Sequence, residues 1–590
     1  MVKLKIRSEI LKNIRIVGVL FLCLLAIAGI RAFTLQIIQA EWLRERLEEQ
    51  TMKKEVLSNK RGTLYDATGV ELAVNLDVDS LYARPRQILD KTETAQQLST
   101  ILGISRDKLL SLLRSKQSFV WLRRKLTPDQ AEKVKALKMS GLGFIRESQR
   151  FYPHRELAGQ VLGYVGIDCQ GLEGIERAFD RQIKGTSGFV LVHRDALGQG
   201  LFPEGIKKVD AIRGYDLVLT IDKNIQYIAE KELQAAVTNA RAKGGLALVM
   251  DPRTGAVLAM AVAPAFNPNQ GPQESGHTWK NRAITDVFEP GSIFKPIVVG
   301  SALEEGLVKP GDLYHCENGS YCIGKRIIHD VHPHGLLSVT EVIKYSSNIG
   351  ASKIAQHLGK ERFYQYIRKF GFGQLSGIEL PGEVSGSVPP SSQWRDINLS
   401  TISFGQGISV TALQVAAAYS AIANNGVLMR PYLVKRIQDE QGGVIQESVP
   451  QAVRRVLSER TARLLKDMLV TVTQQGGTGQ KAVVEGFDVA GKTGTAQKIA
   501  AHGKGYSDKC IASFVGFVPA QDPKLTIIVV IDEPRGVTYG GVVAAPAFSK
   551  MAQQILWYQR IYPESLFQKT IQDPEWRETR GLDPGKEKQG

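Results

Sequence analysis

The N-terminus joins positive charge to a long apolar run, and this pairing constrains both the fold and the compartment of the rest of the chain. An uncharged apolar run covers 16–30 and resumes after Arg31 over 32–38, which is close to the roughly 20 residues that cross a bilayer. Positively charged flanks stay in the cytoplasm. The pattern therefore predicts a membrane anchor at 16–38, a cytoplasmic segment at 1–15 and an exported remainder. Five basic residues carry this charge, offset only by Glu9: Lys3, Lys5, Arg7, Lys12 and Arg15.

A cleaved signal peptide is the alternative interpretation of the same segment. Ala26-Ile27-Ala28 resembles the small-residue site at which such peptides are cut. The apolar residues that continue as far as Ile38 favour the uncleaved anchor. Under either interpretation most of the chain is exported.

Composition limits the class of protein. Of the 590 residues 43% are hydrophobic and 23% are charged, which excludes disordered, collagen-like and disulfide-scaffold chains. The net charge of +16 is compatible with nucleic acid, an acidic polymer or an anionic membrane surface. No zinc-finger spacing, RNA-binding signature or long Lys/Arg run is present, so we predict no nucleic-acid partner.

Cysteine and histidine residues crowd one stretch. Cys316 and Cys322 are close enough in sequence to form a small-loop disulfide in an oxidising compartment. The histidines follow no standard ligand spacing, so a polar loop is favoured over a metal site. They are His315, His329, His332 and His334.

The pattern of strands and helices predicts an α+β chain. Residues 39–223 are interpreted as short strands and turns with helical inserts, and 563–590 as a polar, poorly ordered tail. Within 224–562, strands at 245–250 and 256–261 and at 511–518 and 525–532 enclose a mainly helical stretch from Ser292 to Gly426. This arrangement predicts one sheet with helices packed on it.

The pattern Ser-x-x-Lys occurs twice. Ser105 and Lys108 precede a leucine-rich helix, so a helix N-cap with a solvated lysine explains them. Ser292 and Lys295 follow a Glu-Pro-Gly turn, and on a helix this spacing places hydroxyl and amine on one face. A desolvated lysine loses its proton more readily and can act as the base for the serine.

Two further motifs follow the second pair. Ser346-Ser347-Asn348 is the only Ser-x-Asn in the chain, and Lys492-Thr493-Gly494 is the only Lys-Thr-Gly. The latter is predicted on a strand, with Gly494 letting a ligand approach the backbone. Each motif alone is weak evidence. All three in this order are typical of penicillin-binding proteins and class A β-lactamases.

With these motifs the chain resembles a class B penicillin-binding protein, most like the division-specific (septal) peptidoglycan D,D-transpeptidases. The resemblance implies an N-terminal anchor, an elongated pedestal domain of the dimerisation type at 39–223 and a transpeptidase domain like serine β-lactamases at 224–562. It extends over most of the chain. Further segments that carry it are 61–66, 150–153, 162–166, 171–176, 288–292, 404–407 and 539–541.

The resemblance also implies a role for each motif residue. Ser292 is the nucleophile that attacks a D-Ala-D-Ala stem peptide, Lys295 its general base and Ser346 the proton relay. Lys492 supplies positive potential, and the remaining residues bind substrate, with the oxyanion hole at the N–H groups of Ser292 and Thr495. β-Lactams should acylate Ser292, and no metal or organic cofactor is called for. The substrate-binding set is Asn348, Thr493, Gly494 and Thr495.

The resemblance extends to subtype and partners. Asn348 favours the division-specific group, because the elongation-specific group usually carries Asp there. Such proteins work with a membrane glycosyltransferase that polymerises lipid II and with other division proteins. We expect Arg31 and the apolar face of the anchor to make the glycosyltransferase contact. The positive charge suits anionic lipid and an acidic wall polymer.

Two rival functions remain open. In a β-lactamase or D,D-carboxypeptidase, water would resolve the acyl-enzyme, and Ser347, where class A β-lactamases have Asp, argues against the former. A membrane-anchored scaffold or β-lactam sensor with an inactive site is the non-enzymatic rival, and the intact motifs argue against it. Turnover of a β-lactam distinguishes these alternatives.

Overall fold

The computed structural model describes residues 2–43, 46, 52–57, 59–194, 200–201, 208–272, 278–500 and 505–563. Two compact units make up the chain: residues 1–60 with 185–213, and residues 61–184 with 214–590. The predicted polar tail, from position 564 onward, lies outside the described residues.

The α-helices range from single turns to one long N-terminal helix. In chain order they are α1 Val2–Phe33, α2 Lys91–Leu102, α3 Arg106–Leu113, α4 Pro128–Ala136, α5 Gly159–Leu162, α6 Gly174–Ala178, α7 Asp180–Ile183, α8 Lys223–Asn239, α9 Arg282–Thr285, α10 Lys295–Glu304, α11 Val339–Tyr345, α12 Asn348–Leu358, α13 Lys360–Lys369, α14 Asp396–Ser403, α15 Ala412–Ala423, α16 Glu459–Val470, α17 Gly540–Val543 and α18 Ala545–Tyr558.

The strands belong to one small sheet in the first unit and to several sheets in the second. In chain order they are β1 Met52–Leu57, β2 Leu64–Tyr65, β3 Glu71–Ala83, β4 Val120–Arg123, β5 Leu142–Phe151, β6 Gly188–Arg194, β7 Gly200–Leu201, β8 Lys208–Val209, β9 Asp216–Leu219, β10 Gly244–Met250, β11 Val257–Ala263, β12 Leu313–His315, β13 Ser320–Ile323, β14 Arg326–His329, β15 Leu336–Ser338, β16 Val427–Met429, β17 Val434–Gln438, β18 Val444–Glu447, β19 Ala452–Arg455, β20 Ala490–Ile499, β21 Tyr506–Val518 and β22 Leu525–Asp532.

The first unit holds the apolar helix. Helix α1 passes into a π-helical turn at Thr34–Ile38, so that Ile6–Ile38 forms one continuous apolar helix of 33 residues. None of its most apolar stretch is buried against protein, as expected of a helix that meets lipid. Its length and composition suit a membrane anchor. The same unit contains an antiparallel sheet in which β6 pairs with β1, β7 and β8.

In the second unit, a seven-stranded sheet joins distant parts of the chain. Its order is β18-β17-β9-β2-β3-β4, and β5 pairs with the long strand β3. All pairs are antiparallel except β2 with β9. Strands β17 and β18 come from residues 434–447, beyond the boundary predicted near 224. That boundary therefore stays a prediction.

A buried ion cluster explains three of the pedestal motifs. The Glu176 carboxylate accepts from Arg61 Nε at 2.9 Å and from Arg150 Nε at 2.6 Å. Arg61 also pairs with Asp180, while Arg150 donates to the carbonyl of Gly62 at 2.7 Å. Removing one partner from such a buried cluster leaves an uncompensated charge. The cluster thus holds together three segments that are far apart in sequence.

A five-stranded antiparallel sheet of order β11-β10-β22-β21-β20 forms the centre of the second unit. Alternation along β22 sends Ile527 and Val529 toward a layer that contains α8 and α18, whereas Ile528 and Val530 join the main core with α15. The sheet therefore has helices on both faces. The α+β prediction is confirmed, and the last strands pair with the first as expected.

The stretch predicted as mainly helical is interrupted by two small two-stranded sheets. Strand β12 pairs with β15, and β13 pairs with β14. They occupy the polar segment whose cysteines were considered for a disulfide. Both thiols are free, with Cys316 buried and Cys322 exposed.

Candidate functional site

Ser292 lies in the 3₁₀ turn Gly291–Phe294, directly ahead of α10. Gly291 has a φ of +58°, a conformation that glycine adopts without strain. The turn packs so closely that a Cβ on Gly405 would lie 2.3 Å from the Gly291 carbonyl oxygen. Lys295, the first residue of α10, donates from Nζ to Ser292 Oγ at 3.0 Å. The hydroxyl and the amine therefore meet on one face.

Ser346 lies between two lysine amines. It ends helix α11 in the left-handed conformation, with a φ of +62°. Its Oγ accepts from Lys295 Nζ at 3.1 Å and from Lys492 Nζ at 2.9 Å. A continuous set of hydrogen bonds thus joins Ser292, Lys295, Ser346 and Lys492.

Strand β20 carries the Lys-Thr-Gly motif, as its sequence predicts. Lys492 is completely buried, and Thr493 Oγ1 donates to Thr478 Oγ1 at 2.9 Å. A Cβ on Gly494 would lie 2.4 Å from Ser513 Oγ, so only glycine fits. Thr495 is exposed, and its Oγ1 accepts from the N–H of Gly540 at 3.1 Å.

Burial controls the proton affinity of both amines. Desolvation lowers the pKa of Lys295 to about 7, although the charge of Asp330 acts in the opposite direction. Desolvation also lowers the pKa of Lys492 well below its ordinary value, and the charge of Lys295 adds to this effect. Two positively charged amines beside the same hydroxyl repel each other, which disfavours the state in which both are protonated. A neutral lysine amine is therefore available near neutral pH.

Asp330 is a site residue that the sequence analysis missed. Its carboxylate accepts from the N–H groups of Asn348 and Ile349 and from Ser347 Oγ at 2.6 Å. It therefore lies at the positive N-terminal end of α12 and fixes the Ser-x-Asn motif. The side-chain amide of Asn348 donates to the carbonyl of His329 at 2.9 Å. The sequence predicts this segment only as a polar loop that carries His329, His332 and His334.

Two glycines of the Tyr-Gly-Gly segment support β20 from behind. A Cβ on Gly540 would lie 2.3 Å from the carbonyl oxygen of Gly494. A Cβ on Gly541 would lie 2.3 Å from the carbonyl oxygen of Thr478. Side chains at either position would push against the motif strand or its neighbouring loop. This explains why glycines occur there.

The remaining candidates lie away from this cluster. Ser105 precedes α3 and is exposed, as is Lys108, and the Ser105 side chain makes no capping hydrogen bond. Within the described ranges, no group of three or more His, Cys, Asp or Glu side chains is arranged to hold a metal ion.

Two family models match the chain. The model for the penicillin-binding protein transpeptidase domain matches residues 245–553. The model for the penicillin-binding protein dimerisation domain matches residues 57–219. The residues matched by the transpeptidase-domain model include every motif residue of the candidate site.

Relatives and solved structures agree with these matches. The chain is 36% identical over 544 residues to "Probable peptidoglycan D,D-transpeptidase PenA" of Neisseria gonorrhoeae, covering 90% of each chain. It is 34% identical over 557 residues to "Peptidoglycan D,D-transpeptidase FtsI" of Escherichia coli K12, covering 93% of this chain and 92% of the relative. The crystal structure of penicillin-binding protein 3 from Mycobacterium tuberculosis with aztreonam is 29% identical, has a TM-score of 0.67 and covers 86% and 98% of the two chains. With a transpeptidase domain after a dimerisation domain, this chain belongs to the class B penicillin-binding proteins.

Proposed function

We propose that this protein is a peptidoglycan D,D-transpeptidase in which Ser292 forms the acyl-enzyme. The observation that carries the proposal is the hydrogen-bonded set of Ser292, Lys295, Ser346 and Lys492 around two buried amines. Lys295 removes the proton from Ser292 as its oxygen attacks the penultimate D-Ala carbonyl. Ser346 passes a proton to the departing D-Ala amine. The names of the PenA and FtsI relatives support this reaction.

The substrate is held along β20 and at the end of α11. Lys492 attracts the terminal carboxylate of the D-Ala-D-Ala peptide, and the Thr493 and Thr495 hydroxyls bind it. Gly494 leaves room for the peptide backbone, while Asn348 holds the acyl-donor amide. The N–H groups of Ser292 and Thr495 stabilise the oxyanion. A Cβ on Gly291 would lie 3.4 Å from the Thr495 carbonyl, which supports the closeness of these two segments.

An amine of a second stem peptide then attacks the acyl-enzyme and forms the crosslink. Water in place of the amine would give a D,D-carboxypeptidase or a β-lactamase. The long N-terminal region that matches the dimerisation model favours the transpeptidase, since hydrolysis of an acyl-enzyme by water does not require such a region.

We further infer a septal role at the cytoplasmic membrane. Basic residues ahead of the apolar helix favour a cytoplasmic N-terminus and an external catalytic domain. Asn348 and the likeness to FtsI favour cell division over elongation. The proposed partners are a glycosyltransferase that polymerises lipid II, reached through Arg31 and the apolar helix, and other division proteins.

Intact-mass spectrometry with benzylpenicillin tests the acylation step. We expect one stable adduct of a single drug mass on the wild type and none on Ser292→Ala, because Ser292 is the proposed nucleophile and Lys295 lies 3.0 Å from its hydroxyl as the base. Ser105→Ala is the matched control and should acylate normally. An adduct on Ser292→Ala would contradict the assignment, and rapid consumption of drug without an adduct would indicate a β-lactamase.

The acylation rate should rise with pH through about 7, because Lys295 must lose its proton to act as base and its pKa is about 7. Below that value the rate should fall about tenfold per pH unit. Stopped-flow acylation by a fluorescent penicillin from pH 5.5 to 8.5 measures the profile. Lys369→Met, which changes an exposed lysine elsewhere, should keep the same midpoint. A flat profile would exclude Lys295 as the base.

Asp330→Asn should slow acylation about 10- to 100-fold, because charge-assisted hydrogen bonds to the Ser-x-Asn segment are lost. The midpoint of the pH profile should also move lower, since the carboxylate raises the pKa of Lys295. Asp312→Asn, whose exposed carboxylate accepts from the nearby Lys309 N–H at 2.7 Å, is the matched control. Acylation of Asp330→Asn within twofold of the wild type would contradict the positioning role.

Depletion of the protein in the bacterium that encodes it tests the septal role. We expect filaments without completed septa, rescued by the wild type but not by Ser292→Ala. Arg31→Leu should rescue poorly and lose co-purification with the glycosyltransferase. Rounded cells that still divide would instead indicate an elongation-specific enzyme.

A further inference from the structure

Lys344 is a cation beside the site that the reaction scheme does not use. It lies on α11 two residues before Ser346 and is half-buried. Its Nζ lies 5.4 Å from the centre of the Tyr345 ring. The same ring stacks on the imidazole of His334, with centroids 5.1 Å apart and planes 19° from parallel. The lysine is thus held near a fixed aromatic surface.

The amine also approaches the glycine pair Gly476-Gly477. A Cβ on Gly476 would lie 3.8 Å from Lys344 Nζ, and the φ of +80° at Gly476 favours glycine there. Two residues later, Thr478 accepts the hydrogen bond from Thr493 on β20. Lys344 therefore lies next to the loop that borders the Lys-Thr-Gly strand.

Among the described residues, no carboxylate forms an ion pair with Lys344. The nearby Glu341 carboxylate lies within electrostatic range of Lys344, but its hydrogen bonds come from the N–H and hydroxyl of Ser338, at 2.8 and 2.7 Å. By contrast, Lys353 in the next helix pairs with Glu317 at 2.6 Å. The charge of Lys344 is therefore available to an anion that comes from outside the protein.

We propose that Lys344 binds a carboxylate of the stem peptide that lies upstream of D-Ala-D-Ala. This inference rests on the proposed function. The terminal carboxylate is already assigned to Lys492 and the threonines of β20, whereas the γ-linked D-Glu of a stem peptide carries another. A lysine amine held at the border of the site distinguishes this carboxylate from its amide. Lys344 is thus a specificity-determining residue for the acyl donor.

A competition experiment with the full chain in detergent tests this assignment. The probes are L-Ala-γ-D-Glu-L-Lys-D-Ala-D-Ala and the same peptide with the D-Glu α-carboxylate amidated. Each is used to slow acylation of Ser292 by benzylpenicillin, which gives two inhibition constants for every variant. We expect the free carboxylate to bind about fivefold more tightly in the wild type. In Lys344→Met the two constants should become equal.

Matched variants separate charge from structure. Lys344→Arg keeps the charge and should keep the preference. Lys369→Met removes a lysine that lies 4.5 Å over the Tyr366 ring elsewhere in the fold and should behave as the wild type. Equal constants in the wild type, no competition by either peptide, or a preference that survives in Lys344→Met would overturn the assignment. Failure of the wild type to be acylated at all would overturn the proposed function as well.

Discussion

The site depends on two buried lysine amines that both donate hydrogen bonds to one serine hydroxyl. Lys295 and Lys492 are both completely buried, and both donate to Ser346 Oγ. Water would stabilise the charged amines and restore their ordinary pKa values. The core that excludes water from the amines therefore sets their pKa values. Helix α10 fixes one amine, strand β20 fixes the other, and the left-handed end of α11 places the Ser346 hydroxyl between them.

Close backbone packing keeps these three elements in register. Gly405 contacts the turn that carries Ser292, and Gly494 leaves no room for a Cβ beside Ser513. Gly540 packs directly behind β20. Interiors are close-packed and respond to a single added carbon. A shift at any of these contacts would move a hydrogen-bonding atom relative to Ser292, so glycine positions far apart in sequence act together on one geometry.

Much of the fold follows from local patterns. The apolar run predicts the helix of the anchor, apolar segments separated by turns predict the paired strands β10, β11, β21 and β22, and both are present. Asp330 escaped prediction because an acidic residue in a polar loop has no distinguishing pattern. Its importance arises from contact with the start of α12. Thr478 also lies in a loop that no sequence pattern distinguishes. The four short strands β12 to β15 carry too few residues for a periodic signal.

The sequence by itself determined the class of protein, the apolar anchor, the α+β architecture and the identity of the motif residues, because motif order and hydrophobic period are properties of a linear chain. Only the tertiary structure decided that Ser346 lies between two amines and that Asp330 anchors the Ser-x-Asn segment. It also decided that strands from residues 434–447 complete a sheet begun near residue 64. The physical reason is that hydrogen-bond distance and desolvation depend on neighbours brought from distant parts of the chain, which no local pattern encodes.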